Sequence, residues 1–515
     1  MQDKTSNNKR IAQNTLMLYL RMLFLMLISL YTSRVILNAL GVENYGIYNV
    51  VGGVVAMFSM ISASLNSAIS RFITYELGTG NTESLKRVFS SSVTIQTGIA
   101  IIFILIAETL GMWFLNNKMV IPEARLVAAR WCLHFSALTF AINLISVPYN
   151  SAIIAHEKMS AFAYISIFEA FGKLIVAWTI SISPIDKLIF YALMLAIIAV
   201  IVRIIYMYYC KRHFEECTYK FIYDHSLLKK MFGFAGWNMI GTSSAILRDQ
   251  GGDILINLFF GPVVNGAKAI ATQVNSAISG FVQNFMLAMN PQITKSYASG
   301  DNAYMLELVM KGAKYSYYIL LFIGLPLLLN AEFVLQIWLK NVPAHAVLFV
   351  QLIIILAMSD CLSHTLVAAI LAEGEIKVYM AVVGGLQLLN VPIAYIALKL
   401  GCIPEVIVII AIVISQICLV ARLLFLRKKV NLSIREFFKN VYLNVVLVTL
   451  IAAFFPLVLF FNLEQGWMAL FVISVVSVLC TSISVLYVGL NKFERKRVLN
   501  KIKDYFANKY DRHYR

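Results

Sequence analysis

Charge is scarce in this sequence. Asp, Glu, Lys and Arg make up 13% of its 515 residues, about half the proportion usual in a soluble domain, which excludes an ordinary water-soluble globular chain. Long polar connections are missing as well. The longest, Cys210 to Lys230, is too short to be an extramembrane catalytic domain, which argues against a membrane glycosyltransferase or polymerase and against enzymatic function generally. The seven cysteines, Cys132, Cys210, Cys217, Cys361, Cys402, Cys418 and Cys480, contain no CxxC spacing. Zinc-ribbon and dithiol redox chemistry therefore have no ligand set, and buried packing is the expectation for each thiol. A nucleotide-binding P-loop is absent too. The nearest approach, Gly261-Pro262-Val263-Val264-Asn265-Gly266-Ala267-Lys268, puts Ala267 between glycine and lysine, which excludes ATP-driven export. The first apolar segment has no small-residue cleavage pattern behind it, so it is expected to stay as a helix.

What is present is apolar length. Hydrophobic residues make up 60% of the chain and the mean hydropathy is +0.78. A helix needs about 20 apolar residues to cross the roughly 30 Å hydrocarbon core of a bilayer, and windows of that length recur fourteen times. The first two run from Thr15 to Leu40 and Tyr45 to Leu77, the seventh and eighth from Met231 to Phe260 and Val264 to Tyr297, and the last from Trp467 to Leu490. The expected fold is an all-α integral membrane protein of about 14 transmembrane helices.

Lys and Arg should concentrate at cytoplasmic connections, and they test the count independently. With the N-terminus inside, thirty of the 43 basic residues fall on the cytoplasmic side, eight fall outside and five lie within spans. Both termini are expected in the cytoplasm. Much of the net charge of +17 is then topological, and nucleic acid is not needed as a partner. Val498, Leu499, Ile502, Tyr505 and Phe506 lie at helical spacing among Lys and Arg near the C-terminus, the pattern of a basic amphipathic helix on anionic lipid headgroups.

A repeat organises the spans. Leu40-Gly41-Val42-Glu43-Asn44-Tyr45-Gly46 joins the first two spans as Phe260-Gly261-Pro262-Val263-Val264-Asn265-Gly266 joins the seventh and eighth, at an offset of 220 residues. Gly80-Asn81 and Gly300-Asp301 keep that offset, while Ala155-His156-Glu157 and Ala372-Glu373-Gly374 correspond at a slightly different one. Each copy holds six spans. An even number gives both copies one orientation, a parallel repeat about an axis along the membrane normal, with substrate expected between the halves. The expected domains are an N-terminal lobe (1–210), a C-terminal lobe (211–430), two further helices (431–490) and a basic tail (491–515).

These residues resemble the multidrug/oligosaccharidyl-lipid/polysaccharide exporter superfamily, and within it the Wzx-type oligosaccharide flippases. The resemblance covers about the first 430 residues. It rests on the turn from Gly41 to Tyr48, on Ser70-Arg71-Phe72, on Asp253 followed by Gly261 and Gly266, and on Pro291. Many relatives carry an aromatic shortly after the second glycine, where this chain has Lys268. The resemblance implies movement of an undecaprenyl-diphosphate-linked oligosaccharide, a unit of O-antigen, capsule or another surface polysaccharide, from the inner to the outer leaflet by alternating access. It also implies residence in the bacterial inner membrane, with membrane lipids, a polysaccharide polymerase and chain-length machinery as partners. No cofactor is expected beyond a coupling Na⁺ or H⁺.

An anionic diphosphate needs cations in a wet path, and Arg suits phosphate through its planar donor fork. The candidates are Arg21, Arg34, Lys173, Arg248 and Lys268. Glu169, one turn before Lys173, offers it a structural partner, and Lys268 has an alternative as an interfacial lysine reaching headgroups. Arg21, Arg71, Arg203 and Arg422 lie near enough to helix ends to snorkel. Asp249 and Asp253 are the coupling-ion candidates. They stand four residues apart with Gly251 and Gly252 between them, where a local helix break would expose carbonyl ligands. A cation-coupled multidrug antiporter of the same superfamily is the alternative. It would need acids facing a cationic substrate, whereas cations here at least equal carboxylates within the spans.

Overall fold

The computed structural model describes residues 4–56, 59–117, 121–222, 224–339, 342–496 and 499–500. These residues are almost wholly helical, and no strand occurs among them. Most of the amphipathic tail expected after Leu490 lies outside the described residues. Eleven of the described helices are long and apolar enough to cross a membrane, so the chain is a multi-pass membrane protein. Fourteen spans are compatible with this: the windows at 231–260 and 264–297 are helical but more polar than those eleven, and the window at 45–77 contains residues outside the described ones.

The chain forms two compact units, the first comprising residues 1–243, 287–305 and 371–381. Its helices are α1 (Lys4–Ala56), α2 (Ser59–Thr79), α3 (Thr82–Ile106), α4 (Met112–Asn117), α5 (Leu126–Ala155), α6 (Met159–Thr179) and α7 (Lys187–His213). To these are added both ends of α8 (His225–Ala298) and short stretches of three later helices. Asn81 starts α3 by accepting from the Ser84 amide at 3.0 Å, and Asp186 starts α7 by accepting from Leu188 and Ile189, which satisfies amides that have no partner inside the helix. α5 is central, packing on α3, α7, α2 and α1. Its buried face carries Ala128, Ala129, Ala137 and Ala141, and such small residues let neighbouring helices approach closely where no hydrophobic effect drives them together.

The second unit comprises residues 244–286, 306–370 and 382–515. It holds the middle of α8, most of α9 (Asn302–Leu329), α10 (Ala331–Leu339), most of α11 (Ala346–Glu373) and the end of α12 (Lys377–Leu388). α13 (Asn390–Lys399), α14 (Val406–Val430), α15 (Ile434–Phe437), α16 (Leu443–Asn462) and α17 (Trp467–Ser484) complete it. α16 and α17 pack as a pair whose other faces expose Leu450, Phe454, Phe455 and Phe471, a surface suited to lipid rather than water.

The two turns at the 220-residue offset differ. Gly261 has φ +78° and kinks α8, whereas Gly41 is helical and α1 continues through the expected turn to Ala56. Local chemistry explains the difference. Pro262 has no amide hydrogen and disfavours the helical region for the residue before it, while Val42 imposes neither restriction. Asn44 also folds its amide back onto the Leu40 carbonyl at 2.9 Å, an i to i−4 bond natural to a helix. The next turns do match: Gly80 and Gly300 are both left-handed, at φ +75° and +80°.

Candidate functional site

The kink at Gly261 sets the site. It divides α8 into two arms, and within the second unit the arms lie close enough for side chains to pair across them. Lys268 Nζ, on the second arm, is 2.8 Å from Asp253 Oδ1 on the first and 3.3 Å from the Asp249 carbonyl oxygen. Lys268 is buried, so the interfacial alternative does not hold: the kink turns its side chain onto the first arm.

Arg248 anchors the other side. Its Nε donates to Asp249 Oδ1 at 2.8 Å, and its Nη1 lies 3.6 Å from Asp360 Oδ2 on α11. Asp360 is held in turn by the Ser415 hydroxyl of α14, which receives a hydrogen bond from Ser359 at 2.9 Å. The two aspartates of the first arm thus escape their mutual repulsion by turning to different cations.

These groups line a cavity of about 390 Å³, room for about a dozen waters at liquid density. From the second arm Lys268, Thr272, Asn275, Ser276, Ser279 and Gln283 face it, a polar stripe at helical spacing. His364 and Asn390 add further polar groups, and Leu320, Ile353, Ala394 and Ile407 supply apolar wall. With the imidazole neutral, Arg248 and Lys268 against Asp249, Asp253 and Asp360 leave the cavity one negative charge in excess.

The expected helix break between Asp249 and Asp253 is absent, since α8 departs from helical geometry only at Gly261. The glycine pair makes room instead. A Cβ on Gly251 would stand 2.7 Å from Val391 Cγ2, and one on Gly252 would stand 2.9 Å from Lys268 Nζ. Gly252 is what lets the ammonium reach across.

Of the sequence candidates, Arg248, Asp249, Asp253 and Lys268 therefore meet in one cavity. Arg21 and Lys173 belong to the first unit, where the Arg21 guanidinium lies 4.2 Å above the Phe162 ring and Lys173 Nζ is 2.6 Å from Glu169 Oε1. Arg34 is in α1, but its side chain is outside the described residues. Arg422 does not snorkel; it is buried and donates to Ser363 at 3.1 Å. Elsewhere in the first unit Glu108 and His134 meet at 2.7 Å. Sequence reasoning left out Asp360 as a site residue and missed the polar stripe. The stripe was legible, since positions 268, 272, 275, 276, 279 and 283 fall on one helical face; Asp360 was not, because its partner is on a helix more than a hundred residues away.

The profile of a family described as polysaccharide biosynthesis protein matches residues 11–296. The uncharacterized membrane protein EpsK of Bacillus subtilis (strain 168) is 19% identical over 291 residues, 56% of this chain and 57% of that protein, so the match spans little more than half of that relative. Among solved structures, a MATE protein in its bent conformation superposes with a TM-score of 0.73 at 12% identity, covering 82% of this chain and 96% of the other. An outward-facing multidrug resistance MATE family transporter of the MOP superfamily gives 0.71 at 13% identity over the same shares. A MOP superfamily transporter from Pyrococcus furiosus, whose binding pocket is described as having reverse polarity, gives 0.68 at 13%, again over 82% and 96%. At such identities the likeness establishes the fold.

Proposed function

Because this chain belongs to the polysaccharide biosynthesis protein family of the MOP superfamily, we propose that it is a flippase. On this reading it moves an undecaprenyl-diphosphate-linked oligosaccharide from the inner to the outer leaflet of a bacterial cytoplasmic membrane by alternating access, with both termini in the cytoplasm. The observation that carries the reading is the ionic set of the cavity, in which every cation already has a carboxylate: Arg248 has Asp249 and Asp360, and Lys268 has Asp253. An arriving diphosphate competes with those carboxylates for guanidinium and ammonium, and Arg248 meets phosphate oxygens through two parallel donors. Each carboxylate set free is then a bare anion in a confined site and takes up H⁺ or Na⁺. Anion capture and cation uptake are thereby coupled by exchange of partners. The lipid tail stays in the bilayer, so the path must accept only the headgroup.

One observation favours the second reading, a cation-coupled multidrug antiporter: carboxylates outnumber cations in the cavity by three to two. Depleting the protein in cells separates the two. Flippase function is supported when lipid-linked oligosaccharide accumulates on the cytoplasmic face; normal surface glycan together with raised drug sensitivity overturns it in favour of the antiporter.

A further inference from the structure

A bridge between two helix starts recurs in both units with different chemistry. In the first unit Arg125, just before α5, pairs with Asp186, just before α7. In the second, His345 Nδ1, just before α11, is 2.6 Å from Glu405 Oε1, just before α14. His345 stands 220 residues after Arg125 and Glu405 stands 219 after Asp186, the offset read between Gly41 and Gly261. An arginine keeps its charge at every physiological pH, whereas imidazole side chains change charge between about pH 5 and 8.

The two carboxylates are not equally supported. Asp186 also accepts from the Leu188 and Ile189 amides. Glu405 makes no such bond to the start of α14, its side chain is 1% exposed, and its Oε2 is buried without a hydrogen-bond partner among the described residues. A buried carboxylate is costly unless it is paired with a charge, so the state of His345 decides how well Glu405 is tolerated. The bridge also holds strained backbone. His345 has φ +70° where Arg125 has φ −107°, and residues other than glycine rarely adopt the left-handed region. The His345 side chain is 38% exposed, on a pocket whose other titratable group among the described residues is Glu332 of α10, to which Gln465 donates at 3.1 Å.

The helices that begin at this bridge carry part of the cavity wall. Further along them, Gln416 bonds to Ser359, Ser415 to Asp360 and Arg422 to Ser363, so polar contacts join α11 to α14 from their starts down to the site. We propose that His345 and Glu405 form a proton-binding site that sets how firmly the starts of α11 and α14 are joined, and through them the hold on Asp360. With Nδ1–H donated to Oε1 in both states, the bound proton sits on Nε2, and the bond becomes charge-assisted at both ends, about twice as strong as a neutral one. Release of that proton to water leaves a buried carboxylate facing a neutral ring. The joint is therefore tight at acidic pH and loosens as pH rises, while the Arg125 bridge of the first unit keeps its charge throughout. The bearing of this site on transport rests on the flippase reading above.

Hydrogen exchange of the full chain in lipid nanodiscs, corrected for the intrinsic effect of pH, reads the joint at the amides of Phe349 and Ile409, which are bonded to the His345 and Glu405 carbonyls. Exchange there is expected to be at least tenfold faster at pH 8.5 than at pH 5.5 in the wild type and independent of pH in His345→Arg. Asparagine accepts left-handed backbone, so His345→Asn is a second variant that keeps the turn without titrating, and Glu332→Gln is expected to retain the wild-type dependence. Wild-type exchange that is flat with pH, a dependence that survives both His345 substitutions, or one that is lost with Glu332→Gln overturns the site. In reconstituted vesicles, headgroup translocation by His345→Arg is expected to match the wild type at pH 5.5 and that by His345→Asn to match it at pH 8.5, the two variants differing at least threefold; equal rates in all three overturn the link to the cavity. If none of them moves lipid-linked saccharide, the flippase reading fails, while the exchange result still decides the proton site.

Discussion

Lys268 Nζ and Asp253 Oδ1 are 2.8 Å apart across the two arms of a single helix that parts at Gly261. A pair placed there ties the two arms together and keeps a buried ammonium neutralised. Removing one partner from a buried pair costs about 3–5 kcal/mol, and because Asp253 is itself 39% exposed to the cavity, about 1–3 kcal/mol is expected here. Asp253→Asn should therefore lower the melting temperature and reduce translocation at least tenfold. Exchanging the two charges, Asp253→Lys with Lys268→Asp, should recover melting temperature more than transport. Single variants with wild-type stability and rate would show that the pair does neither job.

The two repeat-related glycines give a prediction of opposite sign. Gly261 sits at φ +78° with open space around its α-carbon, so a side chain there meets backbone strain rather than a clash. Gly261→Ala should destabilise the protein by about 1–2 kcal/mol. Gly41 is inside a helix, where replacing glycine by alanine typically stabilises by about 0.5–1 kcal/mol. Denaturant unfolding in detergent of the two variants side by side checks this, and equal shifts would refute it.

Outside the apolar helices, Glu494 offers a pH test. Burial alone would raise its pKa, but the Asn491 amide at 3.1 Å and the Lys311 ammonium at 3.2 Å outweigh burial and hold it below the ordinary carboxylate value. The folded pKa is the depressed one. Its contribution to stability is therefore fully present above the unfolded pKa of about 4.3 and is lost as pH falls through the folded value. Glu494→Gln should melt below wild type at pH 7, with the gap closing progressively under acid. A gap that stays constant down to pH 3 would exclude the linkage.

How much of this was legible in the sequence depends on the range of the interaction. The all-helical, multi-pass character follows from apolar runs, and the kink follows from Pro262 acting on Gly261, a nearest-neighbour effect. The helical course of α1 at Gly41 was obscured because the same glycine pattern produces a turn only when proline follows. At the site, Arg248, Asp249 and Asp253 were visible as charges where charges are costly. Lys268 read equally well as an interfacial residue, since linear spacing does not reveal that a kink lays one arm against the other. Arg71 was expected to snorkel, and its carbonyl acceptors lie three hundred residues away in sequence, beyond the reach of any local pattern.

Structure and transport separate at Arg248. Removing its side chain leaves Asp249 and Asp360 facing the cavity without a cation, and Ser415 still donates to Asp360. Arg248→Ala should therefore lose stability through repulsion and transport through the missing phosphate partner. Adding Asp360→Asn removes one of the stranded charges, so the double variant should regain melting temperature. It should not regain transport, because the two-donor fork that meets the diphosphate is still absent. Arg248→Lys keeps the charge but not the fork, and is expected to fall between, with stability close to wild type and translocation reduced about tenfold. Reconstituted vesicles carrying a fluorescent lipid-linked saccharide report both quantities on one preparation. Undiminished flipping by Arg248→Ala would remove this residue from the headgroup path.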